Sequence, residues 1–226
     1  KVFPQMVLGK LVPGGQSSGV APVTINEAPF GYDLRPGLGH VPVCEQCAYA
    51  VPAALNALLA DDTHTRHDSR TATTWWVRGH DSLETEMSWL DDVPDAATVR
   101  GLMAAATRGR PFNDAVSVAQ FNSMVVSGNA SRLIVRRWYH VPVDEVRANL
   151  AAWFADTQIQ PRFLDGAEFH PLMTLASATG RHDGKWYLRP GAPGGRHPED
   201  IVERLYACAF ERAPLPPQTL AHLLQR

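Results

Sequence analysis

The sequence predicts an α+β protein, a mixed sheet with helices packed on it and a helical extension after it. Three observations carry this. Residues 71–77 and 131–140 are dense in β-branched and aromatic side chains, as strands are. Several other segments repeat apolar residues at helical spacing. After Pro161 the strand signals fade while the helical ones continue. An α+β body over residues 1–160 and a helical extension over 161–226 follow.

Taken in order, Pro13–Gly19 reads as a flexible polar loop and Val23-Thr24-Ile25 as a short strand, with a Pro- and Gly-rich turn region from Pro29 to Gly39. Pro42 suits the first turn of a helix. Val43, Cys47, Ala50, Ala54, Leu55, Leu58 and Leu59 form its apolar stripe, and Pro52 should kink it. Residues 61–68 read as a polar connection. Asp92 as N-cap and Pro94 in the first turn open a helix through Val99, Leu102, Met103 and Ala106, ending near Gly109. Arg132–His140 is the best strand. Pro142 begins a helix with Asp144 and Glu145 at its positive end and Val146, Leu150, Trp153 and Phe154 on one stripe. Further helices fall at Leu172–Ala178, Pro198–Phe210 and Gln218–Gln225.

Composition narrows the function classes. With 226 residues, 45% of them hydrophobic, the chain is long enough to bury a real core. Lys plus Arg is 21 and Asp plus Glu is 23, a net charge of −2. That is not the footprint of a free nucleic-acid binder, so any such contact must come from a local patch. No apolar run approaches the roughly 20 residues that cross a bilayer. Three cysteines and no leader-like opening predict a reducing cytoplasm without a disulfide framework. The Lys1 start and the Leu223-Leu224-Gln225-Arg226 end read as cuts from a longer protein.

Cys44-Glu45-Gln46-Cys47 is a C-x-x-C at a helix start, which suits a redox pair, or a zinc site completed by His64 and His67. Against both, Cys47 falls on the apolar stripe and the histidines stand in a polar loop. The carboxylate pairs Asp61-Asp62 and Asp91-Asp92 are explained by turns and caps without a metal. No H-E-x-x-H and no phosphate-binding Gly-Lys loop is present. The reading is of a non-catalytic chain with no cofactor and no metal.

The strand 131–140 is more informative. Alternation puts Leu133, Val135, Arg137 and Tyr139 on one face and Arg132, Ile134, Arg136, Trp138 and His140 on the other. Arginines beside an aromatic suit phosphates and a stacked base or sugar. The alternative is that Arg132 and Arg136 pair internally with acids such as Asp144 or Glu145. Asn129 stands at the strand entrance. In the Gly15–Gly19 loop, the small residues around Gln16, Ser17 and Ser18 let backbone amides approach a phosphate, or simply turn the chain.

These segments, in order, resemble the Csd-type large subunit of the type I-C CRISPR surveillance complex, Cascade. Gly15-Gln-Ser-Ser-Gly19 is similar to the family's G-Q-S-S-G. Gly37–Val43 resembles its Q-G-x-N-A-P-V. Ala48-Tyr49, Ala54-Leu-Asn56 and Leu58-Leu59 resemble its A-F-x-Y-T-T-A-L-N-x-L-L helix. Thr73–Trp76 stands where the family has T-T-V-V-F-W. Asn129-Ala-Ser-Arg-Leu133 with Val135, Arg136 and Trp138 resembles N-A-A-R-L-x-V-R-F-W. Gly31-Tyr-Asp33 departs from the family's S-Y-G, and the two cysteines stand where the family has small residues.

The resemblance implies a subunit beside the 5′ end of the guide RNA that helps recognise the motif flanking a target, opens the duplex and recruits a helicase-nuclease in trans. Its partners would be the guide RNA-containing Cascade subunits and target double-stranded DNA, with no membrane. The contact candidates are Gln16, Ser17, Ser18, Asn129, Arg132, Arg136 and Trp138. A zinc- or thiol-dependent enzyme and a purely structural assembly scaffold remain the alternatives.

Overall fold

The structure is a computed structural model that describes residues 6–25, 27–35, 41–79, 83–107, 119–161, 166–215 and 217–224. Its strands are β1 (Thr65–His67), β2 (Ala72–Arg78), β3 (Gln120–Asn129) and β4 (Arg132–Pro142). Its helices are α1 (Glu45–Leu59), α2 (Glu84–Ser88), α3 (Ala96–Thr107), α4 (Val143–Thr157), α5 (Leu172–Ala178), α6 (Ile201–Glu211) and α7 (Pro217–Leu224). The four strands form one antiparallel sheet in the order β1-β2-β3-β4, so the α+β class holds. Among the described residues, parallel pairing is confined to isolated bridges, Gly15 with Ala130 and Ala21 with Arg132.

The chain divides into two compact units, Lys1–Trp76 with Ser123–Trp138, and Val77–Asn122 with Tyr139–Arg226. The first is organised around Val7, Val12, Val20, Leu59, Ala72, Met124 and Val126, with Leu55, Trp76 and Leu133 packed against them. Its β1–β2 hairpin pairs Thr65 with Thr74 and His67 with Ala72. Asp68 shapes the turn by accepting from the amides of Arg70 at 2.6 Å and Thr71 at 2.8 Å. Strand β1 falls inside the polar connection expected over residues 61–68, because three residues with one buried side chain carry no alternation to detect.

Helix α1 corrects two expectations. Cys44, not Pro42, sets its start, its Sγ accepting from the Cys47 amide at 3.3 Å. The buried positions are Ala48, Pro52 and Leu59, so the stripe is rotated from the one expected and Cys47 is exposed. Pro52 sits within the unbroken helix with its ring buried, where apolar packing offsets the hydrogen bond it removes. Val23–Ile25 is not a strand. The chain instead makes single bridges at Val20 and Ala21, enough to satisfy those backbone groups without a ladder.

Strand β3 is not legible in the sequence. Asn122, Ser123, Ser127 and Gly128 depress its strand signal, yet every residue from Phe121 to Ser127 is buried. A strand covered on both faces shows no alternation.

In the second unit α4 packs on α3 and α6, and α6 on α5. The α4 stripe of Val146, Leu150, Trp153 and Phe154 is buried as expected. Phe154 lies edge-on to Trp89 at 6.0 Å and to Phe169 at 5.9 Å. Residues from both sides of position 160 meet here: Phe210 of α6 contacts Phe121 at 5.1 Å, and Tyr139 and Tyr206 at 5.4 Å each. Arg147 Nε donates to Glu86 Oε1 at 2.8 Å, with both side chains largely buried. Helix α3 is capped by Asp95, not Asp92, its Oδ2 accepting from the Thr98 amide at 2.8 Å. The end expected near Gly109 lies outside the described residues.

Candidate nucleic-acid interface

The seven candidate residues come from segments more than a hundred positions apart, and the first unit joins them main chain to main chain. The Gln16 amide donates to the Ala130 carbonyl at 3.0 Å, Gly128 N to Pro13 O at 2.7 Å, and Ala21 N to Ser131 O at 2.7 Å. Leu133 N returns a bond to Ala21 O at 2.9 Å. The Pro13–Gly19 segment is therefore an ordered double turn, not a flexible loop. The amides of Gly15, Gln16 and Gly19 are used internally, the first and last for Val12 O at 2.9 Å and Gln16 O at 3.0 Å.

Glycine makes this approach possible. Gly14 has φ +77°, and a Cβ there would stand 2.8 Å from Gly128 O. A Cβ on Gly128 would run into the backbone of Gly15. Beside this contact Gln16, Ser17, Ser18, Asn129 and Arg132 are all exposed.

Strand β4 shows the expected two faces. Tyr139 is fully buried and Leu133 and Arg137 are half-buried, while Arg132, Ile134, Arg136, Trp138 and His140 are exposed. Val135 departs from the pattern, being half exposed. Arg136 Nε donates to Ser127 Oγ at 2.8 Å, which fixes the guanidinium. Its two Nη groups, the fork that suits a phosphate, have no partner among the described residues. Arg132 likewise meets no carboxylate among them. Asp144, the expected internal partner, lies 3.8 Å from Arg147. Trp138 is 54% exposed and its indole stands edge-on to Trp76, 5.5 Å between centroids at 76°. That contact holds the ring upright while leaving over half of it to solvent.

The C-x-x-C residues take another form. Cys44 and Cys47 are both exposed. The hydrogen bond from the Cys47 amide draws the Cys44 thiol below its ordinary pKa, and the interaction with Cys44 pushes the Cys47 thiol up. His64 Nδ1 lies 2.9 Å from Asp61 Oδ2, a bond that holds the Asp61 carboxyl below its usual range. The His64 ring packs on Trp75 at 4.6 Å, and His67 Nε2 meets Leu59 O at 3.2 Å. Among the described residues no group of three or more His, Cys, Asp or Glu is placed to hold a metal. No described helix is long and apolar enough to cross a membrane.

An ordered turn, a strand entrance and an arginine–tryptophan face, the first two joined by one backbone seam, define an α+β protein with an exposed polar and basic surface. The chain belongs to the CRISPR-associated protein family Cas_Csd1, whose model matches residues 8–226 and so takes in all seven candidates. No curated protein matches the chain.

One cluster lies outside the motifs that the sequence singles out. His182-Asp-Gly-Lys-Trp-Tyr187 forms a tight hairpin presenting two exposed aromatic rings. The Asp183-Gly184 dipeptide, a turn signal followed by a cation and two aromatics, is the clue available in the sequence.

Proposed function

We propose that the chain is a piece of the large subunit of a type I-C Cascade complex and takes part in RNA-guided recognition of foreign DNA without itself catalysing a reaction. The observation that carries this reading is the β4 face, where Arg132 and Arg136 are offered beside Trp138 with no carboxylate against either arginine among the described residues. Membership of a CRISPR-associated family supplies the setting. In RNA-guided systems base pairing reads the sequence, and the protein touches the flanking motif and the backbone. Charge-assisted contacts from arginine fix register on phosphates, and neutral donors such as Gln16, Ser17, Ser18 and Asn129 add to them. The partners in this reading are the guide RNA-containing subunits, target double-stranded DNA and a helicase-nuclease recruited in trans, all in the cytoplasm.

The test is the Arg132→Ala/Arg136→Ala double variant, carried in the parent protein and purified with the products of its neighbouring genes. Binding of a labelled target duplex is followed by fluorescence anisotropy across a salt series. Affinity falls, and the slope of log K against log salt becomes shallower by about one to two units, as for one or two lost phosphate contacts. The melting temperature falls by no more than about 2–4 °C, because both side chains are exposed and the loss among the described residues is the Arg136–Ser127 hydrogen bond, worth about 1 kcal/mol. Unchanged binding, or a destabilised variant whose folded fraction binds normally, would sink the assignment and favour an assembly scaffold.

A further inference from the structure

A second aromatic and cationic surface lies in the second unit, apart from the seven residues above. The hairpin 181–189 is closed by the His182–Tyr187 bridge and by bonds from Leu188 N to Arg181 O at 2.9 Å and from Asp183 N to Trp186 O at 3.0 Å. Asp183 Oδ1 accepts from the amides of Lys185 and Trp186, both at 2.8 Å. Those bonds, the Trp186 amide foremost, keep the Asp183 carboxyl ionised to lower pH than usual. Its charge is thus spent on the turn. Gly184, at φ +104° with open space for 4 Å around the place a Cβ would take, forms the tip.

The hairpin displays Trp186 at 66% and Tyr187 at 51% exposure. The Tyr187 ring is braced by His182 at 4.8 Å, and Lys185 Nζ stands 5.5 Å from the Trp186 ring centre. Arg181, Lys185 and Arg189 have no carboxylate partner among the described residues. Trp186, Tyr187 and Arg189 also line a cavity of about 630 Å³, together with His170, Met173 and Asp91. That volume falls in the range of about 300–1,000 Å³ usual for ligand pockets. Exposed rings beside unpaired cations and an apolar recess match one kind of partner, a chain of flat unpaired bases on an anionic backbone.

We propose that Trp186 and Tyr187 stack an unpaired base of single-stranded DNA at the mouth of this cavity, with Lys185 and Arg189 on the flanking phosphates. The choice of DNA rests on the function proposed above; the stacking chemistry rests on the hairpin alone.

The test uses the 226-residue chain and fluorescein-labelled oligo-dT, an abasic strand of equal length, and oligo-rU, all read by anisotropy. Trp186→Ala weakens oligo-dT binding by about 5- to 150-fold, the cost of one stacked base. Trp186→Phe restores most of it, and the abasic strand binds both variants and the wild type alike. An oligo-dT affinity that is immeasurable in the wild type, or indifferent to Trp186→Ala, overturns the site. So does an equal Trp186→Ala loss on the abasic strand. Oligo-rU bound at least as tightly with the same dependence on Trp186 overturns the assignment to DNA. Duplex binding by the Arg132→Ala/Arg136→Ala complex is scored separately, so either surface can fail while the other stands.

Discussion

Replacing Phe210 by alanine probes the centre of the second unit. The ring is fully buried, as are those of Phe121 and Tyr139 that meet it. The end of α6 is held independently, since Asn149 Nδ2 donates to the Phe210 carbonyl at 2.7 Å. Truncation therefore removes the ring and leaves this anchor in place. Phenylalanine-to-alanine changes at such sites cost about 3–5 kcal/mol. With a urea m-value of about 2 kcal/mol per molar, the midpoint of unfolding falls by about 1.5–2.5 M. Phe210→Leu keeps most of the apolar volume but gives up three ring contacts worth about 0.5–1.5 kcal/mol each, so its midpoint falls between wild type and Phe210→Ala. Far-UV circular dichroism in a urea series measures all three proteins. A Phe210→Ala midpoint within about 0.5 M of wild type, under 1 kcal/mol at that slope, would refute the buried aromatic cluster.

Two further outcomes follow from the geometry. Because the Cys44 pKa is lowered and that of Cys47 raised, thiolate forms first at Cys44 as pH rises. Iodoacetamide labelling mapped by mass spectrometry should therefore mark Cys44 at lower pH than Cys47, and equal labelling throughout would contradict the cap. Gly128→Ala forces a methyl group into the Gly15 backbone. It should cost about 1–3 kcal/mol, as overpacking does, and on the proposed function weaken duplex binding although none of the seven candidates is changed; a variant with wild-type melting and binding would show that the seam is not needed.

What can be read from the sequence is what announces itself locally. Strand β4 and helices α4 and α5 carry clear periodicity, and alternation alone puts Arg132, Arg136 and Trp138 on one exposed face. The α1 stripe misleads because Cys47 and Ala50 are small and apolar enough to pass for core, while Ala48 and Pro52 do the packing. Strand β3 is hidden by its serines, asparagine and glycine; Asn122, Ser123 and Ser127 are buried with the help of bonds such as Ser123 Oγ to Thr74 O at 3.0 Å. Such bonds depend on a partner strand and leave no trace in periodicity. Nor can spacing show that the Gln16 turn meets the Asn129 strand entrance, because the link is made by backbone atoms that every residue possesses.

That backbone seam separates two kinds of constraint. Its hydrogen bonds from Gln16, Ala21, Gly128 and Leu133 are made by main-chain atoms, and its close approach depends on glycines 14 and 128. The side chains of Gln16, Ser17, Ser18, Asn129 and Arg132 point outward and hold none of it together. Selection can therefore rewrite the outward letters while the stitching beneath them stays fixed. A surface built this way can change its chemistry at little structural cost, with its glycines as the positions least free to vary.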